Sequence, residues 1–144
     1  MVDVGRKPES FRVGIASGRV SMKPETLNLI RDRKIQKGDV LELARIAGIM
    51  ATKRTSDLIP LCHPIRIDSV DIDFEFVDEH TIQIRSRVSA LDRTGVEMEA
   101  LTAVSAAALT VYDMCKSVDR GMTIRDLRLD EKSGGKSGHF KRDV

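Results

Sequence analysis

Asp113 and Lys116 close an otherwise apolar stretch of the chain. On a helix, a spacing of three puts two side chains on one face, about 5–6 Å apart. Such a pair has two readings. It can be a solvated ion pair on a last helical turn, where a cation suits the negative end of the dipole. It can equally be a proton-transfer pair, with the carboxylate orienting the lysine and partial burial drawing its pKa down. The carboxylate and the burial act in opposite directions, so the residue types leave both readings open. Glu97 and Glu99 stand at the start of the same stretch, two apart and therefore aimed to different sides. As first-turn carboxylates they suit the positive helix end. Facing a pocket, one of them could instead accept the N–H donors of a guanine-like ring edge.

Other residues suggest chemistry with less force. The segment KSGGKSG, 132–138, looks like a phosphate loop. A Walker A loop would need glycine at position 130, where Asp130 stands, and only residues 139–144 remain to form its helix. What is left is a glycine stretch with two cations, either a flexible tail or a lid that closes on phosphates. In Cys62-His63-Pro64 the adjacent Cys and His point apart in extended chain, which disfavours a Cys–His nucleophile. A zinc site would have to recruit His80, His139 or Cys115, which lie at no recognised ligand spacing, so no metal site is assigned. His63 suits an anion donor better. Lys37, Lys53 and Arg54 add cations around the second helix, each an ordinary solvated charge on its own.

The 144 residues suit a single domain, 1–144, with an N-terminal arm over 1–10 and a basic tail over 132–144. Charged residues reach 32%, yet the net charge is only +2, too small a basic excess to argue for nucleic acid. Trp is absent and Tyr occurs once, which removes an aromatic platform for stacked bases. Cys62 and Cys115 form no CxxC pair and read as free thiols of a reducing cytoplasm. No basic-then-apolar leader opens the chain. The longest uncharged run, 100–112, is 13 residues, short of the roughly 18 a membrane span needs.

The elements that must carry these residues follow from periodicity. A first strand is expected over 11–20. A helix then starts with Pro24 in its first turn and ends at Lys37-Gly38-Asp39, with Gly38 taking the positive φ. A second helix is expected over 40–56. Leu43, Ile46, Ala47 and Met50 form its apolar stripe, and Ala44, Ala47, Gly48 and Ala51 give a side that another backbone can approach. Val70, Ile72, Phe74 and Phe76 alternate with acids, and Ile82, Ile84 and Val88 alternate with polar residues. Both apolar sets are even-numbered, so antiparallel partners must have numbers with an even sum. A loop centred on Glu79 gives a sum of 158, pairing Asp71 with Arg87 and Asp73 with Arg85. A third helix over 96–118 is apolar on nearly every side and needs cover beyond one sheet face. A last strand is expected over 122–129. The sequence of elements is that of a ferredoxin-like β-α-β-β-α-β fold, α+β with an antiparallel sheet and the first helical connection split in two.

Three blocks then resemble one family. KGDVLELARIAGIMATKRTSDLIPLCHPI (37–65), GVEMEALTAVSAAALTVYDMCKSVDRGM (95–122) and KSGGKSG (132–138) resemble the signature of the MoaC family, over nearly the whole chain. Proteins of that family are cyclic pyranopterin monophosphate synthases of molybdenum cofactor biosynthesis. The resemblance implies a substrate, 3′,8-cyclo-7,8-dihydro-GTP, rearranged to a pyranopterin with closure of a cyclic phosphate and loss of pyrophosphate. It implies no required cofactor, with Mg²⁺ left open as a companion of the triphosphate. It implies a ferredoxin-like fold in a cytoplasmic hexamer, a trimer of dimers, with active sites at the dimer interface. It implies no nucleic-acid or membrane partner.

Residue by residue, the DMCK match makes Asp113 and Lys116 the catalytic pair, with Lys116, held by Asp113 in a buried setting, as principal acid/base. The CHP match adds Cys62 and His63 to the substrate site, His63 near the phosphates. Lys37 of KGD and Lys132 of KSGGK match site lysines. Glu97, Met98 and Glu99 of GVEME match residues facing the purine-derived ring. Asp3 of MVDV and Arg12 match N-terminal site positions, and Lys53 of ATKR falls in a matched block. The longer leader that some members carry before MVDV is expected to be missing. The alternative is a non-catalytic nucleotide-binding module on the same scaffold, which would bind GTP analogues without turnover.

Overall fold

The computed structural model describes residues 1–143. Its elements run β1 (Ser10–Ser21), α1 (Pro24–Arg31), α2 (Val40–Thr52), α3 (Thr55–Leu58), β2 (Ser69–Phe76), β3 (Thr81–Asp92), α4 (Glu97–Cys115), β4 (Thr123–Ser133) and β5 (Phe140–Lys141). The strands form one antiparallel sheet in the order β2-β3-β1-β4-β5. Without the short β5, this is the strand order of a ferredoxin-like fold, with the first helical connection in pieces as expected. The β2–β3 register is also the expected one: Asp71 faces Arg87 and Asp73 faces Arg85. That pairing keeps Ile72, Ile82, Ile84 and Val88 on one buried face and leaves the four charges on the other.

Helix α4 packs against β1, β3 and β4, while α2 packs on α4 and β2, so both helices cover one sheet face. Their close approach depends on small residues. A Cβ on Gly48 would sit 2.9 Å from the Ala103 carbonyl oxygen and on the Ile72 side chain. A Cβ on Gly18 of β1 would sit 2.8 Å from Val104 of α4. The alanines of α4 at 100, 103, 107 and 108 are fully or almost fully buried against these neighbours.

Several expectations need correction. Helix α1 ends at Arg31, well before Gly38. Arg33 takes the left-handed conformation (φ 57), and its N–H and that of Lys34 bond back to Ile30 and Leu29. This is a Schellman closure made without glycine. The second helix stops at Thr52, and a separate turn, α3, follows. Its buried residues are Val40, Ala44, Gly48 and Thr52. The stripe Leu43, Ile46 and Met50 faces outward, 48%, 46% and 62% exposed. The small-residue side lies against α4, because only there can the two backbones meet. The last strand is longer than expected, and Phe140 and Lys141 of the tail pair with Lys132 and Glu131. Regular structure therefore extends into the segment read as a tail.

One contact ties the two ends of the helical layer together. Lys23, the N-cap residue of α1, offers no side-chain cap. Buried Asp119, just after α4, supplies one by accepting from the Lys23 N–H and the Thr26 hydroxyl, each at 2.9 Å. Burial alone would raise the Asp119 pKa; these hydrogen bonds, with one from Gly121, outweigh it and hold the carboxylate ionised.

Candidate active site

Helix α4 carries charged residues at both ends, and each end builds a different site. At its C-terminal end Asp113 is the hub. Its carboxylate accepts from Lys116 Nζ at 2.8 Å and from Lys37 Nζ at 3.3 Å, and Lys37 also donates to the Asp113 carbonyl at 3.0 Å. Lys37 arrives from the turn before α2. Lys37 and Asp113 line a cavity of about 550 Å³ together with Leu43, Leu109, Thr110 and Met114. The side chains of Asp113 and Lys116 are 58% and 52% exposed, so the expected buried lysine is not found in the single chain. Hydrogen bonds from Lys116 and then Lys37 hold the Asp113 carboxyl below its ordinary range, and the bond to Asp113 raises the Lys116 ammonium above its own. The carboxylate therefore wins over desolvation, and the lysine is protonated near neutral pH.

At the N-terminal end the chemistry is reversed. Glu97 and Met98 line a pocket of about 320 Å³ with Cys62, His63, Lys7 and Thr94. No residue lining it also lines the Asp113 cavity. Glu97 and Glu99 do diverge, as their spacing required. The Glu97 carboxylate folds back over Gly95. Glu99 is 2% exposed and lies behind the pocket, with Oε2 at 4.0 Å from Cys62 Sγ and Oε1 buried without a partner among the described residues. Burial pushes its pKa up to about 7. The same burial raises the Cys62 thiol, with Glu99 and Glu97 adding to it. Cys62 is therefore a neutral thiol rather than a nucleophile. Both Cys62 and the buried Cys115 are free.

Arg12 and Lys132 form a third group beside this end. Arg12 is 5% exposed, and its Nε donates to the Asp92 carbonyl at 3.3 Å. Gly14, two residues along β1, lies against the Val96 carbonyl at the start of α4. Lys132 Nζ donates to Ser137 Oγ and lies 3.5 Å from the Gly134 carbonyl oxygen.

The structure thus collects Cys62, His63, Glu97, Met98 and Glu99 at one end of α4, with Arg12 and Lys132 beside them. Lys37, Asp113 and Lys116 lie at the other. From Glu99 to Asp113 the helix rises about 21 Å. Asp3 is exposed, and its carboxylate accepts from the Gly5 N–H at 2.8 Å in the N-terminal arm. Lys53 is exposed in a separate groove with Met50 and Arg54 and joins neither group. Residues the sequence reading missed include Lys7 and Thr94 at the acidic pocket and Thr110 at the basic cavity. Thr110 was findable, since it precedes Asp113 by three on a helix face. Nothing in the local pattern marks Lys7 or Thr94. Among the described residues, no group of three or more His, Cys, Asp or Glu is placed to hold a metal ion.

The sequence model described as the MoaC family matches residues 1–135, which contain every residue of both ends of α4 named above. A cyclic pyranopterin monophosphate synthase of Thermomicrobium roseum is 58% identical over 144 residues, covering 99% of this chain and 87% of its own. Its namesake in Heliobacterium modesticaldum is 58% identical, covering 99% of this chain and 91% of its own. That of Desulfitobacterium hafniense is 57% identical over 143 residues, covering 99% and 88%. With a family model matching residues 1–135 and relatives matching nearly the whole chain at this identity, the chain belongs to the MoaC family.

Proposed function

We infer that this chain is a cyclic pyranopterin monophosphate synthase, a lyase acting in molybdenum cofactor biosynthesis. In this reading it takes 3′,8-cyclo-7,8-dihydro-GTP, releases pyrophosphate and closes the cyclic phosphate. The conversion moves protons and a phosphoryl group with no net transfer of electrons. It requires no redox cofactor, and Mg²⁺ stays open as a companion of the triphosphate.

The observation that carries the mechanism is the Lys37–Asp113–Lys116 cluster. Asp113 keeps Lys116 protonated and oriented, so Lys116 enters the reaction as a general acid and then takes a proton back. Lys37 supplies fixed positive charge where the leaving pyrophosphate gains negative charge. The acidic pocket suits the heterocycle: Glu97 offers a carboxylate to ring N–H donors, and Met98 offers an apolar contact. Arg12, His63 and Lys132 suit the phosphates. Asp3 and Lys53 remain assigned to the substrate site on the motif match.

A single chain holds these two ends about 21 Å apart, too far for both to act on one reacting ring. The reading therefore requires a second copy, whose basic end completes the acidic end of the first. The outward apolar stripe Leu43, Ile46 and Met50, continued by Leu109 beside the basic cavity, supports such a contact. A cytoplasmic hexamer built as a trimer of dimers satisfies this requirement. The test is an anaerobic incubation with 3′,8-cyclo-7,8-dihydro-GTP, following pyrophosphate and pterin product by mass. Turnover establishes the function. Binding of the substrate without turnover by the folded oligomer would favour a nucleotide-binding module.

A further inference from the structure

The turn after β4 lies directly on Arg12. Gly134 and Gly135 take φ +93 and +82, the left-handed region that side-chain-bearing residues rarely adopt. A Cβ on Gly134 would fall on the Phe11 carbonyl oxygen, 3.2 Å from the Arg12 Cα. A Cβ on Gly135 would fall on Arg12 Nη1, with Cζ only 2.6 Å away. The bare Cα of Gly135 therefore lies against the Nη1 end of the guanidinium. Arg12 is 5% exposed, and among the described residues no carboxylate pairs with it. A nearly buried cation without a counter-charge is oriented by packing and by its bond to the Asp92 carbonyl.

The turn itself has little room to retreat. Gly138 N–H bonds to the Gly135 carbonyl at 3.2 Å. Lys132 Nζ reaches back to Ser137 Oγ inside the loop. β5 pairs with β4, and His139 Nε2 meets Glu131 Oε1 at 2.7 Å. An added methyl on Gly135 must then displace the arginine rather than the loop. We propose that Gly135 is a positioning residue: its missing side chain lets the anchored turn hold the Arg12 guanidinium, with Lys132, in place for the substrate's phosphate oxygens. This rests on the function inferred above and goes beyond it by assigning a role to a residue with no polar side chain.

The loop contains its own control. Gly138 also has a positive φ, +73, but no atom lies within 4 Å of the Cβ it would carry. Gly135→Ala and Gly138→Ala therefore share the backbone strain, and only the first meets Arg12. The experiment measures calorimetric affinity for inorganic pyrophosphate in the full-length oligomer, with melting temperatures alongside. Gly135→Ala is expected to weaken binding about tenfold or more, on the scale of a lost charge-assisted hydrogen bond, while Gly138→Ala changes it less than about twofold. In an Arg12→Ala background Gly135→Ala is expected to add nothing. In turnover the loss is expected in KM, with kcat kept. Equal losses in the two glycine variants, a full additional loss without Arg12, or no pyrophosphate binding by the wild type would each overturn the proposal. Should Gly135→Ala not fold, Arg12→Lys keeps the charge and removes the atoms under Gly135. It is expected to weaken binding equally, and wild-type affinity would overturn the proposal. Wild-type turnover of 3′,8-cyclo-7,8-dihydro-GTP is assayed separately. Its absence would sink the inferred function, while the pyrophosphate series still decides the role of Gly135.

Discussion

Glu99 and Asp113 are carboxyl groups on one helix, about 21 Å apart, and the fold drives their acidities in opposite directions. Glu99 is walled off, with one oxygen unpartnered, and burial lifts its pKa to about 7. Asp113 stands in solvent with a lysine on each side, and hydrogen bonds hold its pKa down. The acidic end thus tunes a proton by withholding partners, and the basic end does so by supplying them. Withholding partners takes a rigid core, which buried Glu99 has behind Cys62. Supplying them takes only mobile side chains, which suits a surface that a second copy of the chain can cover. The helix holds the two groups apart, and its small-residue faces pin it to the sheet and to α2.

This contrast can be broken most sharply at the basic end. Lys116→Ala is expected to lower product formation by roughly 10²–10⁴-fold with substrate affinity largely kept, measured by pyrophosphate release and by equilibrium binding. Wild-type turnover by this variant would move the essential acid elsewhere. Mixing inactive chains tests the spacer role. Lys116→Ala co-assembled with Glu97→Ala is expected to recover about a quarter of wild-type activity, since half of randomly formed dimers keep one intact composite site. No recovery, with mixed assembly verified, would place both ends of the site in one chain.

At the acidic end the expected effect is on stability. The folded pKa of Glu99 is raised, from 4.5 to about 7, so its contribution is full below about 4.5 and fades as pH climbs through 7. The swing is on the order of 3 kcal/mol for a group this buried. Between pH 5 and pH 8 the wild-type melting temperature should therefore fall by roughly 5–10 °C more than that of Glu99→Gln, which cannot ionise. Parallel curves would show that Glu99 is ionised throughout. The smallest stability effect belongs to Asp113→Asn. Its melting temperature should stay within about 2 °C of wild type, because an exposed pair contributes little. The alkaline limb of its pH–rate profile should move to lower pH, because Lys116 loses the partner that raises its pKa.

Local pattern reached a long way into this protein. The parity of the apolar positions in β2 and β3, with a loop centred on Glu79, was enough to predict the Asp71–Arg87 and Asp73–Arg85 pairs, because a one-residue slip would have turned one apolar face to water. The divergence of Glu97 from Glu99 and the shared face of Asp113 and Lys116 followed from helix geometry alone. The motif blocks identified the family. What local pattern missed depends on which surfaces meet. The Leu43–Ile46–Met50 stripe has helical spacing but faces outward, because α2 turns its small residues toward α4. Hydrophobicity names a face, and close packing chooses which face goes inside. The left-handed turn at Arg33 that closes α1 and the Asp119 cap at its start could not be read locally, since one needs a strained non-glycine turn and the other a partner 96 residues away. The direction of the Lys116 shift was open until the structure showed both side chains in solvent, where the Asp113 bond outweighs desolvation. Sequence by itself therefore determined the family, the strand pairing and the residue types of the site. Only the tertiary structure decided that Lys37 joins Asp113 and Lys116 at one end of α4 while Cys62 and His63 join Glu97 and Glu99 at the other, because these contacts bring together residues far apart in the chain.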